Sequence, residues 1–190
     1  METKTANPGP LGLSGFALTT FILSLYNSGI LDKSHSGIVV GLAIAYGGIA
    51  QFAAGMWEFR AGNTFGATAF TSYGAFWLSF AFLVIGTGLT KDNAPDGTAV
   101  GWYLVGWGIF TALMTLGSLR TNIATFLVFA LLTATFIVLG VGNLQGTSGI
   151  VNLGGYLGLA TAIVAWYTAI AGVLASAGRS YLPVFPLTRS

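Results

Sequence analysis

The sequence has no cysteine, a single histidine among its 190 residues, and very little charge: seven Lys or Arg and five Asp or Glu, 6% in all. Each shortage excludes something. Without cysteine there is no disulfide, no thiolate nucleophile and no thiolate metal ligand. One histidine and five carboxylates leave no ligand set for zinc or a di-iron centre and little material for convergent acid–base catalysis, so neither metal nor enzyme activity is expected. No basic tract occurs and the formal net charge is only +2, so nucleic acid is not an expected partner. Lys4, Lys33 and Lys91 all fall outside the long apolar stretches, which removes a membrane-embedded Schiff base and leaves no expected cofactor. The shortage of charge also decides the class. A soluble domain is about 25% charged because most of its surface faces water. A chain that is 54% hydrophobic, with its charges between apolar runs, faces the lipid bilayer instead.

What is present is apolar length. A bilayer core takes about 20 apolar residues per helix, and six such stretches stand between polar connectors. They run from Leu11 to Ile30, Gly37 to Trp57, Phe65 to Leu89, Ala99 to Leu119, Ile123 to Val141 and Ile150 to Leu174. The expectation is an all-α integral membrane protein with a cytoplasmic N-terminal segment over residues 1–10, one six-helix domain over 11–177 and a cytoplasmic tail over 178–190. The first ten residues are polar and lack a cleavage signature, so Leu11 onward reads as a retained span rather than a removed leader. Lys4, Arg60, Arg120, Arg179 and Arg189 fall on one side of the membrane and Lys33 and Lys91 on the other, which predicts both termini to be cytoplasmic.

An echo at an offset of sixty residues pairs Gly41, Gly48, Ile49 and Arg60 with Gly101, Gly108, Ile109 and Arg120. The offset equals two spans, so three parallel helical hairpins about an axis along the membrane normal would place helices one, three and five in equivalent positions. Small-residue pairs such as Gly37 with Gly41 and Gly154 with Gly158 suit close helix approach in lipid, within one bundle or between subunits. The spans otherwise carry neutral hydroxyls and amides. Singly these are bonds to their own helix carbonyls; together they suit a narrow path for a small polar or weakly acidic solute. Glu58, beside Arg60, reads either as an interfacial ion pair or as a proton-handling group, and His35 reads as solvated loop surface. With no charged relay deep in a span, a proton would travel on a carboxylic-acid solute, which is easier to desolvate neutral than ionised.

Four segments resemble one family. NPGPLGL at Asn7, Pro8, Gly9, Pro10, Leu11, Gly12 and Leu13 is similar to the NPAPLGL signature of the acetate uptake transporters, also called succinate/acetate permeases, with Gly9 in place of alanine. YGGIAQFAAG from Tyr46, GNTFGATAFTSYGAFWL from Gly62 and YLPV from Tyr181 are similar to that family as well. The resemblance implies a six-helix plasma-membrane transporter of acetate, other short monocarboxylates or succinate. It also implies a homohexamer with a pore in each subunit, acting as proton symporter or anion channel. No role carries over to His35.

Placing helices one, three and five around the path brings Phe16, Tyr73 and Leu132 to equivalent positions, 57 and 59 residues apart, as a hydrophobic constriction. Thr19, Thr71, Ser72 and Thr133 lie within a turn of them and are the expected solute contacts. Asn63 and Thr64 precede helix three, where they would cap its free amides or help that helix start attract an anion. Pro8 and Pro10 would fix where helix one begins. Gly12 and Gly15 would let a neighbour approach, and Asn7 would cap or meet an anion. Two other classes fit the same uncharged interior: a channel for water, glycerol or urea, and a membrane sensor that transports nothing.

Overall fold

The computed structural model describes residues 5–32, 36–89, 95–178 and 182–187. Lys4, Lys33, His35, Lys91, Arg179, Tyr181 and Arg189 lie outside the described residues. Among the described residues six helices are long and apolar enough to cross a membrane. They are α1 (Gly9–Asn27), α2 (Gly37–Arg60), α3 (Thr64–Leu89), α4 (Gly97–Ser118), α5 (Ile123–Leu144) and α6 (Ser148–Ser176). The order and number match the six apolar runs.

The helices start a few residues from where apolarity alone begins, because polar caps set the first turn. Asn7 Oδ1 accepts from the Gly9 amide at 2.9 Å, and Pro8 and Pro10 bracket the start of α1, so that helix opens at Gly9 rather than Leu11. Asp96 accepts from Ala99 N at 2.7 Å and Asn122 from Thr125 N at 2.8 Å, each satisfying an amide that the helix itself cannot. At the far end of α2, Gly62 takes φ +77°, the left-handed conformation that glycine adopts without strain, and turns the chain into α3.

The helices close into a ring. α1 packs on α2 and α6, α2 on α3, α4 on α5, and α5 on α6. Three of these contacts are glycine approaches of one kind: Gly48 of α2 against Leu78 of α3, Gly108 of α4 against Ile137 of α5, and Gly158 of α6 against Ser24 of α1. The sixty-residue echo therefore has a partial counterpart in space at Gly48 and Gly108. It does not extend to Gly41 and Gly101, because a β-carbon at Gly41 would meet nothing within 4 Å whereas one at Gly101 would meet Leu144 at 2.6 Å.

α3 and α4 are the exception, held apart by aromatic side chains. Phe76 stacks on Tyr103 with ring centroids 5.9 Å apart and meets Trp107 edge-on at 5.1 Å, while Tyr73 meets Phe110 edge-on at 5.7 Å. Such pairs contribute about 0.5–1.5 kcal/mol each beyond their buried area. The Tyr73 hydroxyl also donates to Thr111 Oγ1 of α4 at 3.0 Å. The apolar core runs down this centre, from Phe16 and Tyr73 through Phe129 and Leu132 to Phe76 and Phe136.

Closest approach is tightest where α6 crosses the end of α1, since a β-carbon at Gly155 would run into the backbone of Asn27 and Ser28. Gly155→Ala forces those helices apart and is expected to destabilise the protein by about 1–3 kcal/mol. Gly41→Ala meets nothing and gains helix propensity. Thermal unfolding of the purified variants in detergent checks both, and an unchanged Gly155→Ala melting temperature contradicts the packing described.

Candidate functional site

A cavity of about 510 Å³ opens at the end of the bundle shared by the start of α1, the α2–α3 turn, the α4–α5 turn and the C-terminal segment. Both ends of the described chain reach it, since Asn7 and Pro183 are each in its wall. Its inner end is apolar. Phe16 from α1, Tyr73 from α3 and Leu132 from α5 all line it, each at most 5% exposed. The Phe16 and Tyr73 rings are 6.0 Å apart and Tyr73 stands 6.1 Å from Phe129. Three positions named from the sequence alone are thus brought together by one from each odd-numbered helix.

Of the polar residues named from the sequence, Asn7, Glu58 and Asn63 line the cavity and the hydroxyls on α1, α3 and α5 do not. Thr19, Thr71, Ser72 and Thr133 do not line the cavity, because each lies at a helix interface instead. Thr19 Oγ1 donates to the Gly15 carbonyl at 2.8 Å and lies against Gly47. Thr133 Oγ1 donates to the Phe129 carbonyl at 2.9 Å and bonds to Thr115 at 3.1 Å. Thr71 is pressed against Gly55, and Ser72 borders a separate aromatic recess with Trp102, Trp107 and Phe110. A threonine that returns its hydroxyl to its own helix needs no partner across a pore.

The cavity's polar groups come instead from Gln51, Glu58 and Asn63 on one side and Thr121, Asn122 and Thr125 on the other, with Thr168 from α6. Gln51 is 1% exposed and its Oε1 has no hydrogen-bond partner. Glu58, 3% exposed, does not pair with the neighbouring Arg60. Its Oε2 accepts from Asn63 Nδ2 at 2.8 Å, while Arg60 is exposed at the helix end. Asn63 does cap α3, its Oδ1 accepting from Gly66 N at 3.1 Å, so one side chain ties the carboxylate to the helix start. Thr64 is exposed and outside the cavity wall.

The C-terminal segment completes the mouth. The Phe185 and Val184 carbonyls accept from the first α5 amides, Ile123 N at 2.9 Å and Ala124 N at 3.3 Å, and Leu187 N donates to the Thr121 carbonyl at 3.0 Å. Tyr167 of α6 donates to the Pro183 carbonyl at 2.8 Å. Nothing in the composition of LPVFPL signals this strap, and sequence reasoning treated it only as tail and motif.

Six apolar helices, five of which line a sparsely charged cavity, define a multi-pass membrane protein, with the plasma membrane as its setting. The chain belongs to the GPR1/FUN34/yaaH family, whose model matches residues 1–189. It is 45% identical over 194 residues to the acetate permease A of Emericella nidulans, covering 94% of this chain and 65% of that protein. It is 43% identical over 184 residues to the succinate-acetate/proton symporter SatP of Escherichia coli K12, covering 96% of this chain and 97% of that one. The chain thus spans about two thirds of the fungal relative and nearly all of the bacterial one. The solved structure of a bacterial acetate channel, SatP, superposes with a TM-score of 0.90 at 43% identity, covering 94% of this chain and 98% of that one.

Asn63→Ala removes the α3 cap and the donor to Glu58 together. A loss of about 0.5–2 kcal/mol is expected for the cap alone, and Asn63→Asp, which restores the acceptor for Gly66 N but not the donor to Glu58, recovers only part of it. Melting temperatures of the two variants check this ordering.

Proposed function

We propose that this chain carries acetate and related small carboxylates, succinate included, across the plasma membrane, with the cavity as vestibule and Phe16, Tyr73 and Leu132 as constriction. The observation that carries the reading is the cavity itself. It runs from a polar mouth to two aromatic rings and a leucine, and a carboxamide whose oxygen has no partner, that of Gln51, stands in its wall. The names of its relatives supply the solute.

The chemistry is consistent. An apolar constriction strips water from whatever passes, a step that costs far less for a neutral carboxylic acid than for its anion. A carboxamide offers both a donor and an acceptor. Gln51 can therefore pair with a protonated carboxyl group through two hydrogen bonds, or donate to a carboxylate. Asn7, in the signature segment at the mouth, and Asn63 line the way in. Among the described residues Glu58 is the ionisable carboxylate in the wall, and in a proton-coupled cycle it is the group that takes up and releases the proton. Transport rather than catalysis is the activity assigned, without cofactor or metal.

In proteoliposomes labelled acetate is expected to enter, competed by succinate and not by glycerol. Passage of glycerol or urea without acetate would turn the reading into a neutral-solute channel, and no flux under any gradient would make the protein a non-transporting one. Phe16→Ala and Tyr73→Ala are expected to admit bulkier carboxylates; unchanged size selectivity removes the constriction from the reading. Gln51→Leu is expected to lower acetate flux about tenfold, the order of one lost hydrogen bond to a charged or strongly polar group. With voltage and proton gradient clamped separately, flux that follows voltage alone identifies a channel, and loss of proton dependence in Glu58→Gln identifies its role in symport.

The reading includes a homohexamer with one path per subunit and a mouth facing the cytoplasm. The mass of the detergent-solubilised assembly tests the first. Because the chain has no cysteine, labelling of Ala177→Cys, an exposed position near the mouth end of α6, tests the second, with modification expected from the cytoplasmic side only.

A further inference from the structure

α2 is not α-helical throughout. Gly37–Ile44 and Gln51–Arg60 are α-helical, but Ala45–Ala50, AYGGIA, forms a π-helical turn between them. Such a turn bonds i to i+5 and so takes up more residues than an α turn. The effect is visible in the burial pattern. Val39, Ala43, Gly47 and Gln51 are all buried, four residues apart over three successive steps. In an unbroken α-helix residues four apart drift by about 40° per step, which would carry Gln51 about 120° round from Val39. The π turn absorbs that drift and keeps all four on the inner face.

The surroundings are built for the turn. A β-carbon at Gly48 would collide with the carbonyl oxygen of Ala43, five residues back, and would come within 2.8 Å of Leu78. A β-carbon at Gly15 of α1 would stand 2.5 Å from the Tyr46 carbonyl, so α1 leaves room for that oxygen. Gly47 lies against Thr19 and against the indole of Trp77, whose buried N–H has no partner. Gln51, the first residue after the turn, brings a carboxamide with an unpaired Oε1 to the cavity wall.

We propose that the π-helical turn Ala45–Ala50 is the positioning element of solute recognition: it sets the Gln51 carboxamide in the path, and α2 in continuous α-helical register turns that group into a helix interface. The proposal rests on the cavity being the solute path. Gly48 is its positioning residue, acting through Gln51.

Two variants collapse the turn by different routes. Gly48→Ala fills the space beside the Ala43 carbonyl, and deletion of the exposed Ile49 removes the residue that the turn absorbs. Each is expected to lower acetate flux about tenfold, as Gln51→Leu does, and adding Gln51→Leu to either is expected to lower it no further. A readout independent of flux comes from Gln51→Cys in this cysteine-free chain. A small thiol reagent is expected to label it in the otherwise native protein and not when Gly48→Ala is also present. The proposal is overturned if Gln51→Leu lowers flux by the same factor with and without Gly48→Ala, or if labelling is equal in the two backgrounds. If neither collapsing variant inserts into membranes, the turn is a folding requirement and the proposal falls. An otherwise native protein without acetate flux defeats the transport reading instead, and the labelling arms still decide whether the turn sets Gln51.

Discussion

In the hydrocarbon of a bilayer a polar group that finds no partner within the protein finds none, and most of this bundle is arranged around that constraint. Thr19, Thr111, Thr133, Thr135, Thr161 and Thr168 each return their hydroxyl to the carbonyl four residues earlier. The starts of α3, α4 and α5 are capped by Asn63, Asp96 and Asn122, and the C-terminal strap supplies two further carbonyls to α5. Against this near-complete pairing the buried exceptions among the described residues stand out: Thr20, Gln51, Thr71 and Trp77. Leaving such a group unpaired costs about 1–3 kcal/mol. Of the four, Gln51 lines the cavity, which under the proposed function is where a solute would supply the missing partner.

The departure from three-fold regularity follows from the aromatic wedge. α2–α3, α4–α5 and α6–α1 close through glycine, while within the hairpins Gly15 seats the Tyr46 carbonyl of α2 and Gly142 seats Val151 of α6. Only the α3–α4 hairpin is filled by rings instead. Tyr73 consequently touches Phe16, Trp107, Phe110 and Phe129 and is tied by its hydroxyl to Thr111. A side chain buttressed on so many sides holds its rotamer, and the narrow end of the cavity inherits that rigidity.

Much of the fold was legible because lipid makes sequence patterns blunt. Six apolar runs give six helices, and Asn7 with Pro8 and Pro10 marks the first start. Phe16, Tyr73 and Leu132 were reachable from the odd-helix logic, since one long period places them at one depth. The polar wall was not reachable that way. Hydroxyls within a turn of those three residues on α1, α3 and α5 face neighbouring helices, whereas Asn7, Glu58 and Asn63, marked in the sequence by their place at helix ends, do line the cavity. Gln51 sits on α2, and its inward direction depends on a π turn that hydropathy does not register; the spacing Gly47, Gln51, Gly55 was the available signal. Glu58 was read against Arg60 by sequence proximity, whereas its partner is the capping Asn63 five residues on, which only the Gly62 turn brings back.

The division of the cavity into two chemistries bears on which solute suits it. Toward the mouth the wall carries amides, hydroxyls and one carboxylate; at the inner end it is Phe16, Tyr73, Leu132 and Phe129. A solute polar all round, such as glycerol, would lose hydrogen bonds at the inner end with nothing there to replace them beyond the Tyr73 hydroxyl, which Thr111 already engages. Acetic acid has one polar end and one apolar end; succinic acid, polar at both ends, lacks that asymmetry and must shed water at two carboxyl groups. Under the proposed function acetic acid with its carboxyl group on the Gln51 carboxamide would rest its methyl group against the apolar ring, and only the carboxyl group would have to shed water to pass. Under the proposed function that asymmetry, rather than any charged residue deep in the membrane, is what would let a path with no lysine or arginine among the described residues of its wall distinguish acetic acid from a small polyol.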